Sequence, residues 1–236
     1  MRYAITVIAT LAVTTASNAA DLVIEAEPVY IAPAPTLTWE GPYIGVHGGW
    51  AWGTETDNQS DILLPDPVEP GLVADEIDLD GWLVGAHAGA NMQWDSFVLG
   101  LEGVVDLTDV SGTADYDYDG LTGTLGFQNN WQASLNVRAG FAAEALLFYG
   151  SVGIAAADGT LTDTPTEGTA TSDDNTHVGW TVAAGVEYKF DPSWSARLEA
   201  RYSDFGDADY DLGYETGNVT SSFTQTAVTF GLSYHF

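Results

Sequence analysis

Alternate positions along the last fourteen residues, Phe223–Phe236, differ in kind. Val228, Phe230, Leu232, Tyr234 and Phe236 share one parity. Gln225, Ala227, Thr229, Gly231, Ser233 and His235 share the other. Period-two alternation marks a strand with one apolar face. A strand of about ten residues tilted by about 45° is long enough to cross a bilayer. Seven earlier segments repeat the pattern: Tyr43–Gly53, Gly81–Trp94, Phe97–Leu107, Asn130–Phe141, Leu146–Ala157, Thr176–Phe190 and Trp194–Phe205. In the fourth, Trp131, Ala133, Leu135, Val137, Ala139 and Phe141 oppose Gln132, Ser134, Asn136, Arg138 and Gly140.

The connections alternate as well. Those near 95–96, 142–145 and 191–193 are short. Those near 54–80, 108–129, 158–175 and 206–222 are long, acidic and rich in Gly, Asp and Thr. An even number of strands, with short turns at one end and long loops at the other, is the outer-membrane pattern. The expected fold is all-β: an eight-stranded antiparallel transmembrane β-barrel with short periplasmic turns and long acidic extracellular loops.

Alternation does not by itself say which face points inward, since a soluble ligand carrier turns its apolar face in. Three features favour the membrane arrangement. Arg138, Lys189, Arg197 and Arg201 all fall on the polar parity, and a cation on the lipid face would cost about 2–4 kcal/mol at mid-bilayer. Aromatic residues bound the apolar face at both ends. Trp94, Phe97, Phe141, Phe148, Phe190, Trp194 and Phe236 stand on the turn side, and Trp50, Trp52, Trp82, Trp131, Trp180 and Tyr202 on the loop side. Two girdles suit two membrane interfaces. Glycine, finally, crowds the polar face, as a narrow lumen requires.

The beginning of the chain reads differently. Residues 1–20 have a thin positive start at Arg2, a short apolar core and small residues at Ser17-Asn18-Ala19-Ala20, the layout of a secretory signal peptide. Residues 21–42 carry Pro28, Pro33, Pro35 and Pro42 and are expected to form an extended periplasmic linker. The barrel is assigned to 43–236. Without Arg2, four of the five Lys and Arg residues remain.

The net charge of −29 argues against nucleic acid as a partner. The chain contains no cysteine, which removes disulfides and thiolate chemistry. Disorder is excluded by eight Trp and 45% hydrophobic residues.

The polar parity collects Glu102, Asp106, Arg138, Glu187, Lys189, Arg197, Glu199 and Arg201, with His47 and His87 beside them. An eight-stranded barrel has just enough interior for its side chains, and buried charges need partners. A salt-bridged plug is therefore expected rather than a polar path. Asp115-Tyr116-Asp117-Tyr118-Asp119-Gly120 begins like a calcium loop, but Gly126 stands where the bidentate Glu belongs. Weak divalent binding at the acidic loops is the most that this spacing supports. No nucleophile motif places Ser, His and Asp together, so no catalysis and no cofactor is expected.

Several stretches resemble a known family. Trp39-Glu40-Gly41-Pro42-Tyr43-Ile44-Gly45-Val46-His47-Gly48-Gly49 is similar to the W-x-G-x-Y-x-G-x-x-x-G opening of alphaproteobacterial outer-membrane porin-family surface proteins. Leu99–Gly103 and Val178–Thr181 resemble later strands of that family. Arg197-Leu198-Glu199-Ala200-Arg201-Tyr202 matches its R-x-E-Y-R-Y strand, with Ala200 in place of Tyr. Tyr234-His235-Phe236 is similar to its aromatic ending. The resemblance spans about 39–236. It implies an eight-stranded barrel in the Gram-negative outer membrane, among lipopolysaccharide, inserted by the barrel-assembly machinery, with Tyr234 and Phe236 as part of the assembly signal. Relatives of this kind are surface antigens, envelope-stabilising proteins, narrow porins and, in some cases, haem binders. A structural role in the cell envelope is expected first, a narrow porin second and a haem receptor third.

Overall fold

A computed structural model describes residues 37–57, 76–118, 121–212 and 219–236. The signal segment and most of the Pro-rich segment lie outside the described residues. Among the described residues eight strands follow in chain order: β1 (Gly41–Asp57), β2 (Ile77–Trp94), β3 (Phe97–Tyr118), β4 (Leu121–Ala143), β5 (Leu146–Pro165), β6 (Thr171–Asp191), β7 (Trp194–Tyr210) and β8 (Val219–His235). Each is antiparallel to its neighbours in the chain. β8 returns to pair with β1, Trp50 opposite Val228 and Tyr43 opposite His235, which closes the ring. Within the belt, closure leaves no strand edge unpaired.

All eight segments expected from alternation are strands, and each apolar face points outward. Phe97, Leu101, Leu107, Ile154, Val178 and Phe230 are among the exposed large side chains. The turn-side connections are as short as expected, two residues at 95–96, 144–145 and 192–193.

Two of the four long acidic loops are corrected by the structure, while most of 54–80 and residues 213–218 of the last lie outside the described residues. Much of 108–129 is a continuation of the β3–β4 ladder, from Val110 opposite Asn129 to Tyr118 opposite Leu121. Residues 158–163 likewise continue β5 against 171–176 of β6. Their Asp, Gly and Thr content reads as loop when propensity is considered residue by residue. It is overridden because the extensions of β4 and β5 find backbone partners on both sides and those of β3 and β6 on one, while every second side chain packs inward.

Above the loop-side girdle the inward side chains become mostly apolar, with Glu55, His177 and Ser221 buried among them. Ile77, Leu79, Val110, Leu125, Phe127, Leu161, Phe205, Tyr210, Val219 and Phe223 form one buried cluster. Phe205 and Phe223 stack at 4.9 Å, and Phe127 lies 5.2 Å from Phe223. Water surrounds this part of the barrel, so the ordinary rule returns and apolar groups go inside. Each such aromatic or aliphatic side chain contributes about 1.5–3 kcal/mol on burial.

In two strands an irregularity accompanies the switch. In β4 the register shifts around Asn129–Trp131, and the inward parity passes from odd (Leu125, Phe127, Asn129) to even (Gln132, Asn136, Arg138). A one-residue insertion is what reverses parity along a strand. The freed groups are satisfied by Asp158, whose Oδ1 accepts from the backbone N–H of Asn130 and of Trp131 at 2.8 and 2.7 Å. In β7 the shift falls between Asp204 and Asp207. Gly206 there has φ of 68°, and its N–H donates to Asp204 Oδ1 at 3.0 Å.

The Gly206→Val variant is expected to keep the barrel but lose about 1–2 kcal/mol of stability, because a side chain in this left-handed conformation is strained. Urea unfolding in detergent micelles measures the loss. An unchanged midpoint would show that the bulge is not anchored at Gly206.

Candidate functional site: a charged layer inside the barrel

Within the belt, the inward residues of all eight strands meet in a space too narrow for a cavity of bulk water. Gly85 illustrates the crowding. A Cβ at that position would lie 2.0 Å from Asp106 Oδ1 and 2.9 Å from His47 Nε2. The eight charged residues expected on the lumen parity are all buried there. Four are cations (Arg138, Lys189, Arg197, Arg201) and four are carboxylates (Glu102, Asp106, Glu187, Glu199), so the layer is neutral while the chain as a whole is at −29.

The centre of the layer is Glu102 on β3. Its Oε2 accepts from Arg197 Nη1 at 2.7 Å and from the Tyr43 hydroxyl at 2.8 Å, with Arg138 Nη1 at 3.9 Å. Arg138, from β4, pairs through Nη2 with Glu187 of β6. Its guanidinium also lies 3.7 Å from the centre of the Tyr149 ring, a cation–π contact strengthened by exclusion of water. Glu199 of β7 holds Arg201 at 2.7 Å through Oε1 and accepts from the Tyr149 hydroxyl at 2.8 Å through Oε2.

Asp106 stands with histidine rather than arginine. His47 Nε2 lies 2.6 Å from Asp106 Oδ1, and Gln132 Nε2 donates to Oδ2 at 3.0 Å. His47 Nδ1 in turn faces His87 Nδ1 at 3.1 Å, and His87 Nε2 lies 2.9 Å from Ser233 Oγ. One set of tautomers satisfies the whole row. Asp106 accepts from His47, His47 accepts from His87, and His87 accepts from Ser233.

Lys189 sits apart from these pairs. Its Nζ donates to the carbonyl of Thr38 at 2.5 Å and lies 4.9 Å from the centre of the Trp39 ring. Trp39 is fully buried and meets His235 edge-on at 5.6 Å. Its backbone N–H donates to Gln93 Oε1 at 2.7 Å. With Val98, Ala142, Leu147 and Tyr149 it forms a small apolar layer at the turn-side end. The end of the segment expected to be an extended linker thus reaches into the barrel.

Parity located the charges and both histidines. It could also have located Tyr43, Tyr149, Gln132 and Ser233, which lie on inward positions of their strands. Trp39 precedes the first strand, and no periodic signal marks it.

The carboxylates of the calcium-like stretch lie elsewhere. Asp115 and Asp117 share the outward face of β3, and Tyr116 between them points inward. Asp119 is outside the described residues. The Tyr116 hydroxyl donates to Asp163 Oδ1 at 3.0 Å, and partial burial together with that carboxylate pushes its pKa up to about 12. Asp115 and Asp117 stand about 7 Å apart along an extended strand, where a calcium loop would curl its ligands round one ion.

Removing one member of a buried ion pair strands the other, at a cost of about 3–5 kcal/mol. Arg197→Ala is expected to lower stability by that amount in urea titrations. The double variant Arg197→Met with Glu102→Gln is expected to recover a large part of it. A double variant as unstable as the two single changes summed would show that the charges are not coupled.

Comparisons with known proteins place this geometry. The model of the outer membrane protein beta-barrel domain matches residues 6–236. The chain is 31% identical over 237 residues to the 31 kDa outer-membrane immunogenic protein of Brucella melitensis, covering 94% of each chain. It is 30% identical over 220 residues to the 25 kDa outer-membrane immunogenic protein of Brucella abortus, covering 92% of this chain and 90% of that one. Among solved structures it resembles the outer membrane protein OprG of Pseudomonas aeruginosa, with a TM-score of 0.51, 15% identity and coverage of 84% of this chain and 97% of that one. At that identity the likeness is one of fold. The outward apolar belt, the closed ring of strands and these matches lead to one conclusion: the chain belongs to the outer membrane protein beta-barrel domain family and is an integral β-barrel protein of the outer membrane.

Proposed function

We propose that this protein is a structural surface barrel of the cell envelope, closed to solutes, whose strand extensions form the part presented outside. The observation that carries this reading is the filling of the lumen in three successive layers. The Trp39 layer occupies the turn-side end, the neutral charged layer the belt, and the Phe127–Phe205–Phe223 cluster the loop-side end. A narrow porin would need a continuous polar path, and the two apolar layers interrupt it. The Brucella relatives are named as immunogenic proteins, and we extend a surface-antigen role to this chain on that basis.

The same filling argues against catalysis. Ser233, His87, His47 and Asp106 form a hydrogen-bonded row, but all four are buried and the apolar layers separate them from both mouths of the barrel. It also argues against haem, since His47 and His87 are already engaged with each other.

In planar bilayers the refolded protein is expected to show no sustained ohmic steps, and Arg197→Ala is expected to lose stability without gaining a large conductance. Regular conductance steps from the unaltered protein would overturn the closed reading.

The chain end has a role of its own in this proposal. Tyr234 meets Trp194 and Phe236 edge-on, each at 5.2 Å, on the outward face where assembly factors and lipid meet the strand. Deleting Tyr234–Phe236 is expected to abolish membrane insertion in cells. A truncated chain that still inserts and keeps its heat-modifiable gel mobility would remove the assembly role.

A further inference from the structure

The outward face of β3, β4 and β5 carries two shallow grooves, one beyond the other. The first lies within the apolar belt. Gly103, Ala133 and Ala156 form its floor and Val105, Leu135, Ile154 and Val178 its walls, around about 370 Å3. The floor is continuous across the sheet, because Ala133 pairs with Val105 on one side and Ala156 on the other, and Leu135 pairs with Gly103. The second groove, about 360 Å3, is lined by Ser111, Thr113, Gly126, Gln128, Thr160 and Thr162. Residues 129–132 of β4 lie between them, so that Gln128 of one and Ala133 of the other are about 17 Å apart at the rise of a strand. Trp131 of the loop-side girdle stands between them. The first groove is therefore at acyl-chain depth and the second in the headgroup layer.

Their chemistry differs as the two ends of an amphiphile differ. The lower groove is lined by apolar side chains apart from Ser134. The upper offers hydroxyls and one amide, and no charged side chain lines it. Thr160 donates to Asp174 at 2.6 Å. The side chains of Ser111, Thr113, Gln128 and Thr162 make no hydrogen bond to other described residues and remain available to a ligand. A phosphate would meet no cation here, since all four Lys and Arg side chains beyond Arg2 are buried in the lumen. It would instead meet exposed Asp109 and Asp115 nearby. The larger groove beside β1, β2, β7 and β8 contrasts with this face, because Asp78 and Asp80 line it next to Trp52 and Tyr202.

We propose that the β3–β5 face holds one outer-leaflet lipid with an uncharged sugar headgroup, an acyl chain in the lower groove and the sugar hydroxyls against the upper one. The lower groove continues the apolar belt already in contact with lipid, and the neutral hydroxyl lining of the upper groove selects sugar over phosphate. This inference rests on the belt lying in the outer membrane and is independent of whether the lumen conducts.

The test uses the full-length protein folded in detergent micelles. It is mixed with equal amounts of monoglucosyl diacylglycerol and phosphatidylglycerol of identical acyl chains, and retained lipid is counted by native mass spectrometry. One glucosyl lipid per barrel is expected, retained about fivefold over phosphatidylglycerol, the ratio that one net hydrogen bond of about 1 kcal/mol supplies. Gly103→Leu fills the lower groove and is expected to reduce retention of both lipids. A Cβ at Gly103 meets nothing closer than 4.0 Å, so the backbone accommodates the change, and Ala156→Leu is the second filling variant if the first does not fold. Thr162→Val with Gln128→Leu is expected to abolish the sugar preference while lipid is still held. Equal retention of the two lipids by the unaltered protein overturns the proposal. So does retention that neither filling variant reduces, or a dimer that the filling variants dissociate, which would make the groove a contact between copies. Ohmic steps from a protein that keeps its sugar preference would instead sink the closed-barrel reading alone.

Discussion

In the hydrocarbon of a bilayer no water is available to backbone N–H and C=O groups, and each unpaired group costs several kcal/mol. That constraint shapes the whole molecule. It requires β8 to return to β1, residue by residue from Tyr43 opposite His235 to Asp57 opposite Ser221. It also requires strands long enough to leave the membrane before they turn. Once eight strands close, the interior is only as wide as side chains, and its contents follow from that width.

The interior then solves two problems at different heights. In the belt the outward face must be apolar, so alternation delivers polar side chains to the lumen, where they must satisfy one another. Glu102 does so by meeting Arg197, Arg138 and Tyr43 at once. Beyond the girdle the surroundings are aqueous and the same alternation is used the other way round, with Phe127, Phe205 and Phe223 inside. β2 and β8 make the change without a break in parity, because apolar residues take over their inward positions, whereas β4 and β7 keep the apolar residues on one parity and turn it inward by an inserted residue at this boundary. Asp158 and Gly206 are the local means of accommodating that residue. The strong acidity of the chain is compatible with this plan because the buried charged layer is neutral. Among the described residues the surplus carboxylates are carried largely by exposed positions such as Asp78, Asp109 and Asp117, where water screens them.

Much of this was legible in sequence, because a membrane strand must keep strict alternation for its whole crossing. Arg138, Arg197 and Glu199 could be placed in the lumen from parity alone, and Trp50 or Phe148 in the girdles. The extensions were not legible. Outside the membrane the outward face is rich in Thr, Asp and Gly, as in Thr160 to Thr164, and such residues suit loops as well as strands. Nor was Trp39, whose burial depends on Lys189, Gln93 and His235 arriving from distant parts of the chain.

Sequence by itself determined the number of strands, their order, which face meets lipid and which charges are enclosed, because period-two alternation and short turns leave few ways to arrange a closed meander. Only the tertiary structure decided which charge meets which. Pairing across the lumen joins strands far apart in the chain, as Arg197 of β7 with Glu102 of β3. It depends on stagger around the ring and on the reach of each side chain, quantities that no single strand contains.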